Sequence, residues 1–166
     1  MREQRLLKRE RRNPVTTSID RMTTAGMLEC IQRENENAVF SVRKALSEIE
    51  IACDIIAEKL SQGGRLIYIG AGTSGRLGVL DATECPPTFG VPRDMVIGII
   101  KKREKCMFQA AEREEDNYES GARDLKEKNL TKNDVVVGIS ASGNAQYIIG
   151  ALNYANELGC ETIGIK

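Results

Sequence analysis

Apolar residues between Thr23 and Gln62 recur at spacings of three and four, which is the period of an amphipathic helix. The pattern stops at Gly63 and Gly64, so it predicts two long helices that end there. Helices of this kind cover a sheet or pair with another subunit. The apolar positions that carry the period are Val39, Val42, Leu46, Ile49, Ala52, Ile56 and Leu60.

Four short apolar runs farther along the chain predict strands at 65–69, 95–100, 134–139 and 161–165. Between them the chain predicts a short helix after the first strand, two helices between 104 and 128, and a helix over 144–158. Strands that alternate with helices favour an α/β fold of three layers, α/β/α, with a parallel sheet. The predicted domain occupies residues 14–166, with the N-terminal helices ahead of the sheet.

The first predicted strand ends in a turn rich in Gly, Thr and Ser. Glycines let backbone N–H groups come close to an anion, and the hydroxyls of Thr73 and Ser74 add donors. A helix that starts near Ser74 would direct its unpaired N–H groups to the same place. The sequence therefore predicts a phosphate site formed by Gly72, Thr73, Ser74, Gly75 and Arg76.

Two other interpretations of this turn remain open. Gly70, Gly72 and Gly75 fit the GxGxxG pattern of dinucleotide-binding proteins, although an acidic partner about 20 residues on is not evident. The hydroxyls favour a compact phosphoester over a pyrophosphate. A turn with a purely structural role is the second alternative.

A second turn repeats the chemistry after the third predicted strand, at Ser140, Ser142 and Gly143. The carboxyl ends of parallel strands share one edge of a sheet, so both turns could face one ligand. The alternative is that Ser140 and Ser142 cap the following helix.

Glu84 is a candidate acid because it follows the first turn by one predicted helix and precedes Pro86 and Pro87, whose rings stiffen the chain. A solvated carboxylate at a helix end is its plain alternative. Cys85 is a possible nucleophile, but without a nearby base it is better explained as a packing residue.

Three stretches make the chain similar to a known family. They are Arg12-Asn13-Pro14 with Ile19-Asp20, the long and specific stretch from Gly70 to Pro92, and Asp134 to Gly143. From about Arg12 onward the chain resembles the N-acetylmuramic acid 6-phosphate etherases. These enzymes form a branch of the sugar isomerase (SIS) fold that also includes the glucokinase regulatory proteins.

The resemblance implies an enzyme that cleaves the D-lactyl ether of N-acetylmuramic acid 6-phosphate, giving N-acetylglucosamine 6-phosphate and D-lactate during cytoplasmic recycling of cell-wall sugars. It implies no metal or cofactor, and a homodimer with the site near its interface. Glu84 would be the proton donor and Glu115 the second acid or base. Acidic residues crowd around Glu115, so Glu112 is an alternative, and a solvated helix face is the plain interpretation of that run.

The chemistry requires removal of the proton at C2 of the open-chain sugar, protonation of the departing lactate oxygen, and addition of water. Carboxyl groups whose pKa is raised by a desolvated pocket can perform these steps without histidine, which this chain lacks. Two other functions remain open, a non-catalytic sugar-phosphate sensor and an aldose–ketose phosphate isomerase.

Two segments depart from the family pattern. The run from Lys101 to Lys105 replaces a small turn that contains Gly, and we expect it to be an exposed basic turn, with steering of an anionic substrate as the alternative. Asn144-Ala145-Gln146 removes a cation and a hydroxyl beside the second turn. The sequence also stops at Lys166, directly after the fourth predicted strand. We therefore expect an incomplete member that lacks the last strand, its covering helix and the C-terminal helical region.

Composition narrows the classes of partner. The chain has 24 basic and 24 acidic residues, so no bulk charge favours nucleic acid, and no apolar run is long enough to span a membrane. Its five cysteines show no CxxC spacing and there is no set of residues with metal-ligand spacing, which indicates a reducing, cytoplasmic location and no metal site. Residues 1–13 are strongly basic and predict a disordered tail, with contact to RNA or anionic lipid as the alternative.

Overall fold

The structure is a computed structural model that describes residues 12–101 and 117–166. Its strands are β1 (Leu66–Gly70), β2 (Val96–Ile100), β3 (Val135–Ile139) and β4 (Glu161–Ile165). Its helices are α1 (Thr24–Lys44), α2 (Leu46–Ser61), α3 (Gly72–Phe89), α4 (Tyr118–Lys126) and α5 (Gln146–Glu157), with short 3-10 turns at Pro14–Thr16 and Ile19–Arg21. The alternation of strands and helices confirms the predicted α/β class.

The chain divides into two compact units, one that ends at Ala52 and one that extends over Cys53–Lys166. In the first unit, the side chain of Thr23 caps α1 by accepting a hydrogen bond from the Gly26 N–H at 3.2 Å. The two predicted N-terminal helices are confirmed as α1 and α2, and Gly63 follows α2 with a positive φ of 81°.

The second unit contains a sheet of four parallel strands in the order β2-β1-β3-β4. β1 lies inside the sheet and pairs with β2 on one side and β3 on the other. At its last residue, Gly70 is level with Ile100 of β2 and Ile139 of β3. Ala71, Lys101 and Ser140, which directly follow β1, β2 and β3, therefore leave the sheet side by side.

Helices cover both faces of this sheet, as the three-layer prediction requires. On one face, Ile67, Ile69 and Val136 pack with Leu125 of α4 and with the buried side of α5. On the other face, the opposite set of strand residues packs against α2 and α3, and this cluster contains Leu66, Val96, Val135, Val137 and Ala82 together with Ile55, Ile56 and Leu60. Alternate strand residues thus serve two different cores, as expected for a sheet buried on both sides.

A buried ion pair ties the starts of the two inner strands together. The Asp134 carboxylate, 1% exposed, accepts hydrogen bonds from the Arg65 backbone N–H at 3.0 Å and from its guanidinium at 3.0 and 2.7 Å. It also accepts one from the Thr131 N–H at 2.9 Å. Burial alone would raise the pKa of Asp134, but the bonds from Arg65 and Thr131 outweigh it and hold the pKa below its ordinary value.

The main difference from the sequence prediction is α3. We expected a short helix, but α3 has 18 residues and continues through Pro86 and Pro87 to Phe89. The prolines remove two N–H donors, yet Ala82 and Cys85 pack against the sheet on this stretch, and the Gly90 N–H closes the helix on the Pro86 carbonyl at 2.9 Å. Packing against the sheet therefore outweighs the tendency of the two prolines to end the helix early.

The other boundaries lie within two residues of the prediction, except that the helices expected between 104 and 128 correspond to α4 alone among the described residues. Within that part of the chain β4 pairs only with β3, and its Ile165 is half exposed. In the described ranges, none of the helices combines the length and apolarity needed to cross a lipid bilayer.

We predict that Asp134→Asn lowers the free energy of unfolding by roughly 2 to 3 kcal/mol at pH 7, because it leaves the Arg65 guanidinium without its counter-charge in a largely buried site. The folded-state pKa of Asp134 is depressed, so its stabilisation is present above its ordinary pKa of about 4 and is lost as the pH falls through the folded value. Urea unfolding at a series of pH values measures both effects.

The matched control is Asp54→Asn, which changes an exposed carboxylate on α2. We expect this control to change stability by no more than about 0.5 kcal/mol at any pH. Equal losses in the two variants, or a loss for Asp134→Asn that does not shrink in acid, would contradict the role given to this ion pair.

Candidate functional site

The carboxyl ends of β1 and β3 form the point at which the strand order reverses. The chain passes from β1 to β2 on one side and then crosses to β3 on the other side of β1. In open α/β sheets, ligands bind in the crevice at such a point. The two turns predicted from the sequence, after Gly70 and after Ile139, leave from these neighbouring strand ends.

The first turn passes directly into a helix. α3 begins at Gly72, whose φ is +54°, and Ala71 precedes it without a side-chain cap. The first helical N–H groups, at Gly72, Thr73 and Ser74, have no intrahelical acceptor because they open the helix. Thr73 is exposed and Ser74 is half-buried. N–H groups, two hydroxyls and the positive end of an 18-residue helix therefore meet at the edge of the sheet.

Glycine is required where this turn folds back on its own strand. A Cβ atom built on Gly70 would lie 2.5 Å from the Gly75 nitrogen, and one built on Gly75 would lie 2.6 Å from the Gly70 oxygen. Both distances are too short for any side chain. The close approach brings the start of α3 directly against the end of β1, so the turn has a fixed shape.

The second turn is held by its own serines. Buried Ser140 accepts a hydrogen bond from the Gly143 N–H, at 3.0 Å to its carbonyl and 3.2 Å to its hydroxyl, and Ser142 Oγ accepts one from the Asn144 N–H at 3.2 Å. The two hydroxyl oxygens are 3.5 Å apart. Neither serine caps α5, because the N-cap residue is Ala145 and its side chain makes no capping bond. The interpretation of these serines as helix caps is therefore wrong.

A buried cation lies beside the two turns. Lys101 directly follows β2, is 6% exposed, and donates its backbone N–H to the Gly70 carbonyl at 3.1 Å. Its ammonium lies 5.0 Å from the centre of the Tyr147 ring, and the Tyr147 hydroxyl donates to Asp124 at 2.7 Å. Burial and the bond to Asp124 raise the pKa of Tyr147, so it stays a neutral phenol.

The expectation that Lys101 belongs to an exposed basic turn is thus wrong. The sequence carries a signal that could have found this, since Lys101 continues the alternation of the buried strand Val96–Ile100 by one position. Its side chain falls on the same face as that of Ile99, which belongs to the apolar core. The remainder of the basic run, residues 102–105, lies outside the described residues.

The proposed acid Glu84 lies at the opposite end of α3 from the first turn. It lies twelve positions after Gly72, which corresponds to about 18 Å along the helix axis. Its neighbour Cys85 packs with Leu66 and Met95, near the starts of β1 and β2. Glu84 itself is exposed. Within one chain, the structure therefore does not bring Glu84 to the predicted phosphate turns.

The region around Glu84 contains a cavity of about 690 Å³, lined by Ala82, Thr83, Pro86, Pro87 and Arg93. Because prolines 86 and 87 lack an N–H, the carbonyls of Ala82 and Thr83 lose their intrahelical donors on this side. A smaller cavity of about 290 Å³ adjoins the second turn, where Ser140 and Gly143 meet the apolar side chains of α5 and β4.

The second predicted acid, Glu115, and its alternative Glu112 lie outside the described residues, so their roles stay predictions. Arg76 is half-buried, in the first turn and a half of α3. Burial, reinforced by the charge of Asp81, raises the pKa of Cys85 and makes it a poor nucleophile at neutral pH. The packing interpretation of Cys85 fits this environment.

The first turn presents N–H groups and hydroxyls at the end of β1, the second presents serine hydroxyls at the end of β3, and a buried ammonium follows β2. Donors of these kinds bind phosphate. Across residues 12–101 and 117–166 no group of three or more His, Cys, Asp or Glu side chains is arranged to hold a metal ion.

The chain is similar to several known proteins. The chain is 53% identical over 157 residues to proteins named N-acetylmuramic acid 6-phosphate etherase in Yersinia pestis (strain Pestoides F) and Yersinia pseudotuberculosis serotype O:1b (strain IP 31758). Each alignment covers 95% of this chain and 53% of the relative, so the chain spans about half the length of the curated relatives it matches.

Among solved structures, a phosphoheptose isomerase from Neisseria gonorrhoeae superposes with a TM-score of 0.66 at 20% identity, over 86% of this chain and 74% of that one. This match supports the fold alone. Residues 48–156 match the profile of the glucokinase regulatory protein N-terminal SIS domain, which is about two thirds of the sequence. The chain therefore belongs to the family of the glucokinase regulatory protein N-terminal SIS domain.

Proposed function

We propose that this chain is the sugar-phosphate-binding part of an N-acetylmuramic acid 6-phosphate etherase, a carbon–oxygen lyase. The observation that carries the proposal is the pair of Ser-bearing turns at the carboxyl ends of β1 and β3. The identity of 53% to proteins of that name extends over nearly the whole chain and supports the choice of substrate.

In this proposal the 6-phosphate lies between the two turns. The N–H groups of Gly72, Thr73 and Ser74 and the hydroxyls of Thr73 and Ser74 bind it from one side, and Gly75, whose N–H donates to the Ala71 carbonyl at 3.3 Å, allows the close approach of the turn to β1. The hydroxyls of Ser140 and Ser142 bind it from the other side, and Gly143 shapes that turn through its positive φ of 69° and its N–H bonds to Ser140. Arg76 adds charge near the start of α3. Because these donors are fixed by the tight turn and by bonds within the second turn, little ordering is required when the phosphate binds.

The reaction is an elimination followed by a hydration. A carboxylate removes the C2 proton of the open-chain aldehyde, electrons move to form the C2–C3 double bond, and the C3–O bond breaks as the lactate oxygen takes a proton from a carboxylic acid. Water then adds at C3 and a proton returns to C2. Glu84 is the proposed proton donor and Glu115 the proposed second acid or base.

The distance between Glu84 and the phosphate turns decides how many chains the proposed site needs. About 18 Å along α3 is too far for one carboxylate to reach C3 of a hexose whose 6-phosphate is bound at the start of the same helix. We therefore propose a homodimer in which Glu84 of one protomer acts on the sugar held by the turns of the other. An exposed Glu84 beside a wide cavity is compatible with such an arrangement.

The proposed location is the cytoplasm. The four cysteines in the described part of the chain, Cys30, Cys53, Cys85 and Cys160, are all free thiols, as is usual in a reducing compartment.

A sugar-phosphate sensor without turnover is the second candidate. The match to a regulatory-protein domain and the separation of Glu84 from the turns within one chain favour it. An isomerase is the third, since the fold neighbour is named as one. A sensor would bind the sugar phosphate without releasing lactate, and an isomerase would interconvert aldose and ketose phosphates.

We predict that the purified chain releases D-lactate from N-acetylmuramic acid 6-phosphate and that Glu84→Gln lowers kcat by a factor of about 10² to 10⁴ with little change in phosphate affinity, because the amide cannot donate the proton. A coupled lactate assay measures the release, and a thermal-shift titration measures the affinity. Glu157→Gln, an exposed carboxylate at the end of α5, is the control. Ligand-dependent stabilisation without lactate would favour the sensor.

A mixing experiment tests the shared site. Ser142→Asp keeps an acceptor for the Asn144 N–H but places a negative charge in the phosphate turn, so it should be inactive. Mixing it with Glu84→Gln under conditions that exchange subunits should restore about a quarter of the wild-type activity, since half of the dimers are mixed and each of these has one intact site. A mixture as inactive as its two components would rule out a site built from two chains.

A further inference from the structure

The described residues contain a single buried side chain with a positive charge, that of Lys101. We infer that Lys101 is a phosphate-binding residue, whose ammonium binds the phosphate group held by the Ser140–Gly143 turn. The inference rests on the proposed function for the identity of the ligand, and it assigns a role to a residue outside both turns.

The register of the sheet places the Lys101 side chain on the same face as that of Ser140. Gly70 is level with Ile100 and Ile139, so the next residues, Lys101, Ala71 and Ser140, lie in a row across three strand ends. Ile99, Ile69 and Val136 belong to the same apolar core. Alternation along each strand then puts the side chains of Lys101, Ala71 and Ser140 on that same face.

The position of the ammonium brings its charge toward the second turn. The backbones of Lys101 and Ser140 are separated by two strand spacings, about 10 Å. The Lys101 ammonium lies on the ring of Tyr147, a residue in the first turn of α5, and α5 follows the Ser140–Gly143 turn. This contact joins the end of β2 to the helix that begins after the second turn.

The support beneath the ammonium is rigid. Tyr147 is fully buried, and its hydroxyl is bonded at 2.7 Å to Asp124 on α4. A fixed ring holds a cation in one place through the cation–π interaction, so little side-chain entropy remains to be lost when an anion binds.

The second turn carries no charged side chain of its own, and the one lysine that borders its cavity, Lys166 beside Gly143, is exposed. The sequence of the turn from Ser140 to Ala145 is neutral, and the start of α5 offers N–H groups without a capping side chain. N–H groups and hydroxyls bind phosphate, but a charge-assisted bond is about twice as strong as a neutral one. Lys101 would supply that charge from a buried position, whereas the side chain of Lys166 is exposed to solvent.

The test compares Lys101→Met with Lys101→Arg and with a control, Lys132→Met. The control changes an exposed lysine near the amino end of β3. Calorimetric titration with inorganic phosphate, N-acetylglucosamine 6-phosphate and N-acetylmuramic acid 6-phosphate gives the dissociation constants. We expect Lys101→Met to weaken all three by about tenfold or more, Lys101→Arg to retain most of the affinity, and Lys132→Met to change nothing. A loss confined to N-acetylmuramic acid 6-phosphate would assign Lys101 to the lactyl carboxylate and overturn the inference, as would unchanged affinity in a folded Lys101→Met variant.

A second measurement avoids dependence on the folding of Lys101→Met. In protein labelled with ¹⁵N on lysine, the side-chain Nζ signal of Lys101 is assigned with Lys101→Arg, and phosphate is titrated. A saturable shift with the same dissociation constant as the calorimetry supports the inference, and an unmoved signal at saturation overturns it.

Lactate release is scored separately. Phosphate binding that depends on Lys101 without lactate release refutes only the proposed lyase, whereas lactate release with affinity independent of Lys101 refutes only the role of Lys101.

Discussion

The ion pair of Arg65 and Asp134 fixes the register on which the remainder of the sheet depends. Arg65 immediately precedes β1 and Asp134 immediately precedes β3, so their hydrogen bonds align the two inner strands from their first residues. A slip of one residue would turn every side chain of a strand to the other face. Ser140 would then leave the face that it shares with Ala71 and Lys101 at the carboxyl ends of the strands, even though the ion pair lies at their amino ends. A contact at the amino ends of the strands thus fixes which side chains share a face at their carboxyl ends.

Burying a charge costs free energy, and each buried charge in the described residues has a partner that offsets this cost. Asp134 is surrounded by donors from Arg65 and Thr131, which keeps it ionised in spite of its burial. The Lys101 ammonium makes a cation–π contact with the Tyr147 ring, and the Tyr147 hydroxyl donates a hydrogen bond to Asp124. The first group holds strands together at one edge of the sheet. The second links β2, α4 and α5 at the edge where the two turns lie, and it places positive charge there.

The length of α3 separates two parts of the proposed chemistry. Its first turn supplies donors at the carboxyl edge, whereas Glu84 is carried to the other end of the helix, near the starts of β1 and β2. A helix is a rigid spacer, so small movements cannot close a gap of about 18 Å. A reaction that needs both ends of α3 on one sugar therefore needs two copies of the chain, while a protein that only binds the phosphate needs one.

The sequence by itself determined the elements and the donors. Alternation and helical period located the strands to within a residue or so, and the glycines with Thr73, Ser74, Ser140 and Ser142 marked two turns suited to an anion, because these signals depend only on neighbouring residues. Tertiary structure decided what depends on distance along and across elements. It extended α3 through two prolines, since packing of Ala82 and Cys85 outweighs the lost hydrogen bonds. It buried Lys101 against Tyr147, residues 46 positions apart in the sequence, because only the strand order β2-β1-β3 brings them together.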